Sequence, residues 1–127
     1  MGILAGTIRC VNAKNATLNC VNCAIATDAL LAGRPASALA GGPYRISVLE
    51  QTFGAKFSFP VSREKIVEAL LTAGSGSRAI VFGFTGGAVG HVFNAVNQGG
   101  IIRFLDGQTG TVPALSGYAE LRFLRTN

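Results

Sequence analysis

The stretch Gly90-His91-Val92-Phe93-Asn94-Ala95-Val96-Asn97-Gln98-Gly99-Gly100-Ile101-Ile102-Arg103-Phe104-Leu105-Asp106 reads as two strands joined by a glycine-containing hairpin turn. Centring that turn on Gln98-Gly99 sets Phe93 opposite Phe104, Ala95 opposite Ile102 and His91 opposite Asp106. Residues directly opposed in a sheet share one face, with Cβ atoms about 5 Å apart. The one histidine of the chain is therefore expected beside a carboxylate, the orienting half of a nucleophile–base–acid site.

A candidate nucleophile lies on Asn19-Cys20-Val21-Asn22-Cys23. Asn19 can cap a helix that Ala and Leu propagate and that Gly33, followed by Pro35, stops. Positions 20, 23/24, 27 and 31 fall on one face at helical spacing, and small side chains there permit close packing on a sheet. A thiol reacts as its thiolate, which a helix N-terminus and a neighbouring imidazolium both favour. Cys20 takes that place if Asn19 is the cap, and Cys23 takes it if Asn22 is. Starting at Cys20 gives the longer buried face and puts Cys23 behind it. His91 would take the thiol proton and return it to a leaving group, and Asp106 would hold the ring's tautomer. Gln108 and Asn19 are the side chains expected near substrate or an oxyanion, together with backbone N–H groups of the helix start.

The chain has 127 residues, read as one domain over 1–127, and 49% hydrophobic content is enough to build a core. Charged residues make up 13%, which excludes a disordered chain. No apolar run approaches the roughly 20 residues a membrane span needs. The start, Met1-Gly2-Ile3-Leu4-Ala5-Gly6, lacks a charged, hydrophobic leader and suggests a fragment of a larger protein. A net charge of +5 favours acidic partners, but the basic residues form no run, so nucleic acid is disfavoured. Cys10, Cys20 and Cys23 are an odd set. Zinc would need further ligands at suitable spacing, and a redox C-x-x-C would need a βαβ unit that is not evident, so neither metal nor cofactor is expected.

Elsewhere a short helix is expected over 46–53, ended by Gly54, and a short strand over 56–59, stopped by Pro60. Ser62 caps a helix over 63–73, with Glu64 in its first turn. Residues 79–84 form an apolar, central strand, and 118–124 a last alternating one. A short strand is also expected over 7–11, and 34–44 and 85–90 are loops. Helices first and then a mostly antiparallel sheet make an α+β arrangement.

The order Cys, His, Asp on such a frame is similar to the papain-like fold. The blocks Asn19-Cys20-x-x-Cys23-x-x-Ala26-x-Asp28-x-x-Leu31-Ala32-Gly33-x-Pro35-x-Ser37-Ala38-Leu39, Gly90-His91-x-Phe93-Asn94-x-Val96-Asn97 and Phe104-Leu105-Asp106-Gly107-Gln108-Thr109-Gly110 resemble the papain-fold, glutamine-deamidase-like toxin domains of bacterial polymorphic toxins. The resemblance covers about residues 15–111. It implies Cys20 or Cys23, His91 and Asp106 as the active residues. Papain, whose second C-x-x-C cysteine acts, would point to Cys23. Papain-like enzymes with Asn directly before the nucleophile would point to Cys20. The resemblance further implies a domain at the C-terminus of a large secreted protein of the contact-dependent inhibition or Rhs type. Such a domain is delivered into the target-cell cytoplasm and neutralised by an immunity protein.

Three functions follow as expectations. The first is an effector enzyme attacking a carboxamide or peptide carbonyl of a target-cell protein, with glutamine deamidation ahead of proteolysis on the resemblance. The second is an RNA-cleaving toxin using His91 and Arg103. The third is a binding module that uses the hairpin as an interaction edge.

Overall fold

A computed structural model of the chain describes residues 20–34, 46–84, 90–107, 109 and 111–127. The strand expected over 7–11, Cys10, Asn19, Gln108 and most of both expected loops lie outside the described residues. Three helices precede the sheet: α1 (Cys20–Leu31), α2 (Ser47–Phe53) and α3 (Arg63–Ala73). Four antiparallel strands follow: β1 (Arg78–Phe84), β2 (Gly90–Gln98), β3 (Ile101–Leu105) and β4 (Glu120–Arg125). Their order is β3-β2-β1-β4, so the apolar segment after α3 is an inner strand, as its sequence suggests.

Period-two alternation divides the core between the two faces of the sheet. Ala79, Val81, Phe93, Ala95, Phe104 and Leu121 pack with Ile66 and Leu70 of α3. Ile80 and Val92 face the other way, against Val21 and Ala24 of α1 and Leu49 of α2. Cys23 and Ala26 continue the α1 contact onto Val96 and Leu105. Helices therefore cover both faces, the α+β papain-like architecture expected from the sequence.

The helix boundaries have local causes. The Ser62 side chain accepts from the Lys65 amide and caps α3. Gly54, in the left-handed region, closes α2. Beyond α1, Gly33 is also left-handed, and the Gly33 and Arg34 amides donate back to the Leu30 and Ala29 carbonyls. α1 buries more than one stripe: Val21, Cys23, Ala24, Ala26, Thr27 and Asp28 are all buried, whereas Cys20 and Leu31 are half-buried.

Two expectations are corrected. Segment 56–59 forms no strand. The Ser58 amide donates to the Phe123 carbonyl, and the Ser58 hydroxyl accepts from the Phe123 amide. Just beyond the segment, Val61 makes an isolated bridge to Leu121 of β4. The hairpin register also differs. Ala95 pairs with Phe104 and Asn94 with Leu105, because Gly99 and Gly100, both with positive φ, form the turn in place of Gln98-Gly99. One step beyond the last ladder pair, Asp106 thus falls opposite Phe93, diagonal to His91. A slip of two residues keeps every side chain on its face, so the histidine and the carboxylate still share one.

Polar anchors seat α1. The Asn94 Nδ2 donates to the Ala24 carbonyl at 3.0 Å from within the core. At the far end, buried Asp28 accepts from Arg78 Nε at 3.0 Å and from Thr126 Oγ1 at 2.6 Å. Deleting one partner of such a pair strands a buried charge. Asp28→Ala should therefore cost about 3–5 kcal/mol in a denaturant titration, whereas loss of the exposed Lys65–Glu68 pair should cost about 0.5 kcal/mol or less.

Candidate active site

The ends of the elements assemble the site. β1 runs toward it and β2 and β4 start from it, while the first residues of α1 and α3 approach from opposite faces. His91 lies one residue inside β2, on the face of Phe93, and the two rings are 6.2 Å apart. Its Nε2 stands 2.7 Å from Asp106 Oδ2. The diagonal placement does not prevent this contact, because side chains of this length span the offset.

Asp106 is held by its backbone. Its amide donates to the Thr111 carbonyl at 2.8 Å and its carbonyl accepts from the Thr111 amide, a bridge that closes the loop after β3. The carboxylate is 8% exposed and the imidazole 23%. The hydrogen bond is accordingly only partly open to water.

Cys20 is the first residue of α1 and half-buried. Its thiol lies close enough to the His91 side chain and the Val92 backbone for both to favour the thiolate. The β2–β3 ladder ends at Asn94, leaving the strand beside Val92 free of a β3 partner. With Nε2 engaged by Asp106, Nδ1 is the ring nitrogen left for the thiol.

These contacts set the charges. Burial opposes a thiolate at Cys20, but the His91 hydrogen bond, the Val92 backbone and the imidazolium charge outweigh it, and the thiol is lowered from its ordinary 9.0. Burial likewise opposes an imidazolium at His91, but the bonds to Asp106 and Cys20 outweigh it and raise the group to about 9. Each group thus favours the charged form of the other, the thiolate at Cys20 and the imidazolium at His91. Cys23, one turn along and 1% exposed, is pushed up to about 12 by burial and then by the nearby Asp106 and Cys20 charges. Of the two cysteines of the C-x-x-C motif, Cys20 lies by the imidazole, whereas Cys23 packs with Ala26, Val96 and Leu105.

The sequence reading missed the contributions of Val92 and Tyr118. Tyr118 stacks on Phe93 at 5.7 Å, with its ring against Gly83, where a Cβ would come within 2.5 Å. Its phenol is raised by burial and then by the charges of Asp106 and Cys20, which places it within electrostatic reach of the site. A glycine inside an apolar strand was the available signal, since it marks close approach of another group. Among the described residues no cluster of three or more His, Cys, Asp or Glu side chains could hold a metal ion, and no helix is long and apolar enough to cross a membrane.

A thiol at a helix start, facing an imidazole–carboxylate pair on an antiparallel sheet in the order Cys, His, Asp, is the arrangement of papain-like proteins. Residues 18–111, well over half of the chain, match the family model described as papain fold toxin 1, glutamine deamidase, and the chain belongs to that family. The match ends at Thr111, the residue that closes the loop behind Asp106. No curated protein and no solved structure matches the chain.

Iodoacetamide should alkylate Cys20 at neutral pH and spare Cys23, as read by peptide mapping. His91→Ala should slow the Cys20 reaction by about tenfold or more, because the thiolate loses its counter-charge. The sign for stability also follows. Folding raises His91 above its ordinary 6.5, so the stabilisation is complete below about pH 6.5 and is lost as pH rises through about 9. In Asp106→Asn, the alkaline loss read in a denaturant series should move to lower pH.

Proposed function

We propose that this domain is a toxin that deamidates a glutamine side chain in a target-cell protein, with Cys20 as nucleophile, His91 as acid and base, and Asp106 as the group that orients His91. The supporting observation is the 2.7 Å His91–Asp106 hydrogen bond beside the Cys20 thiol at the start of α1, where the histidine favours the thiolate. The family described as glutamine deamidase supplies the reaction class.

The Cys20 thiolate attacks the carboxamide carbon, and the C–O double bond opens to an oxyanion. The oxyanion collapses as the C–N bond breaks, and the His91 imidazolium gives its proton to the departing nitrogen, which leaves as ammonia. A γ-glutamyl thioester remains on Cys20. His91, now neutral, takes a proton from water, and the hydroxide attacks the thioester. The C–S bond breaks, leaving glutamate on the target and restoring the thiolate–imidazolium pair. Asp106 holds Nε2, so that Nδ1 faces the sulfur. The roles of Asn19 and Gln108 at the oxyanion remain proposals from the sequence, as does an immunity protein that covers the site. Release as part of a larger secreted protein and delivery into the target-cell cytoplasm belong to the same reading.

The test is expression in a host that lacks an immunity protein, with intact-mass analysis of host proteins. The intact domain should be toxic and shift its target by about +1 Da, the difference between an amide and an acid. Cys20→Ala and His91→Ala should abolish both effects, whereas Cys23→Ala should keep the mass shift. Target fragments in place of a mass shift would assign a protease of the same fold. Degraded RNA that persists in Cys20→Ala would assign an RNA-cleaving toxin. Deamidation should fall as pH rises through about 9, where His91 loses the proton that the leaving ammonia requires.

A further inference from the structure

One row across the sheet leads away from the site. His91 on β2 is the register partner of Gly83 on β1, and Gly83 is the register partner of Leu121 on β4. Tyr118 lies flat over the middle of this row, because Gly83 has no side chain to hold it off. Beyond the tyrosine is a cavity of about 340 Å³. Leu121, Val61 and Leu115 supply its apolar lining, and Arg63, Ser116 and Glu120 its polar rim. Tyr118 is therefore a wall of the cavity and, on its other side, a neighbour of the ring stack that includes His91.

We propose that this cavity is a specificity subsite, which takes an apolar side chain of the target polypeptide near the residue attacked, with the Tyr118 ring supporting the backbone between them. The proposal deepens the reading of Cys20 and His91 as the reacting groups and rests on it. Its geometry fixes a spacing. Two strand intervals separate His91 from Leu121, about 10 Å, and an extended chain advances about 3.3 Å per residue. The side chain in the cavity is thus about three residues from the glutamine. The volume suits one large aliphatic or aromatic side chain with room for displaced water. A charged occupant would meet an apolar lining without a buried partner, at a desolvation cost. The rim is already partly self-paired, since Glu120 accepts from Arg122 at 3.0 Å and the Arg63 guanidinium sits 5.6 Å from the Phe104 ring centre.

The test uses covalent probes, so it does not depend on knowing the target. Two iodoacetamides carry the same linker of about 10 Å, one ending in phenyl and the other in a methyl group. Their alkylation rates at Cys20 are compared by peptide mapping under limiting reagent. The phenyl reagent should react about tenfold faster or more with the unaltered domain, the gain expected from burying one ring. Ser116→Trp, at an exposed rim position, obstructs the cavity, and Leu115→Asp places a carboxylate in its lining; either should bring the ratio close to one. An equal rate for the two reagents in the unaltered domain would overturn the subsite. So would a preference that survives both substitutions. If neither these reagents nor iodoacetamide itself reacts at Cys20, the reading of the thiol fails and the subsite fails with it. Rapid reaction without a phenyl preference sinks the subsite alone.

Discussion

The seating of α1 against β2 governs the position of the Cys20 sulfur. The helix has little amphipathic contrast to orient it, since small and apolar residues surround most of its circumference. Burial alone would allow it to rotate or slide by a residue at modest cost. Three directional contacts prevent this: the thiol of Cys20 at one end, the Ala24 carbonyl in the middle and the Asp28 carboxylate at the other. Each engages a different part of the sheet. Hydrogen bonds are individually worth only about 1 kcal/mol net, but leaving any of these buried groups unpaired costs more. The helix therefore has one low-energy seating, and that seating presents the sulfur to the imidazole.

The charges at the site depend on this rigidity. A thiolate at Cys20 and an imidazolium at His91 are each disfavoured by burial, and each is favoured by the other's charge. Asp106 adds a third charge to the line, and its backbone bridge to Thr111 keeps it from following the imidazole outward. Cys23 shows the same physics with the partner removed. It has the same side chain and belongs to the same helix, yet it lacks an imidazole and its thiol stays protonated.

The sequence was most informative where one local signal had one structural meaning. Ser62 as a cap, Gly54 as a stop and the unbroken apolar run before Phe84 each specify an element without reference to the rest of the fold. The hairpin was only half legible. Gln98-Gly99 and Gly99-Gly100 are both acceptable turns, and the pattern of side chains is unchanged by the two-residue slip between them. The shared face of His91 and Asp106 could thus be read, but their direct opposition could not. Segment 56–59 has the composition of a strand, but the Ser58 hydroxyl takes the place of a backbone partner along β4. Tyr118 was not legible because its position depends on Gly83, which is distant in sequence. Which of Cys20 and Cys23 lies by the imidazole was not legible either, since both are compatible with a helix start.

The Asp28 anchor has a consequence for how the domain comes into being. Its partners, Arg78 and Thr126, lie 50 and 98 residues further along the chain. Synthesis proceeds from the N-terminus, so the ribosome releases the sulfur-bearing helix long before either partner exists. The ring and the carboxylate beside the sulfur also arrive after the helix, at the sheet, whose pairing is non-local and slow to form. A nascent chain therefore carries an ordinary thiol. The contacts that fix the far end of the helix, and with it the place of the sulfur, can form only once Arg78 and Thr126 have been made.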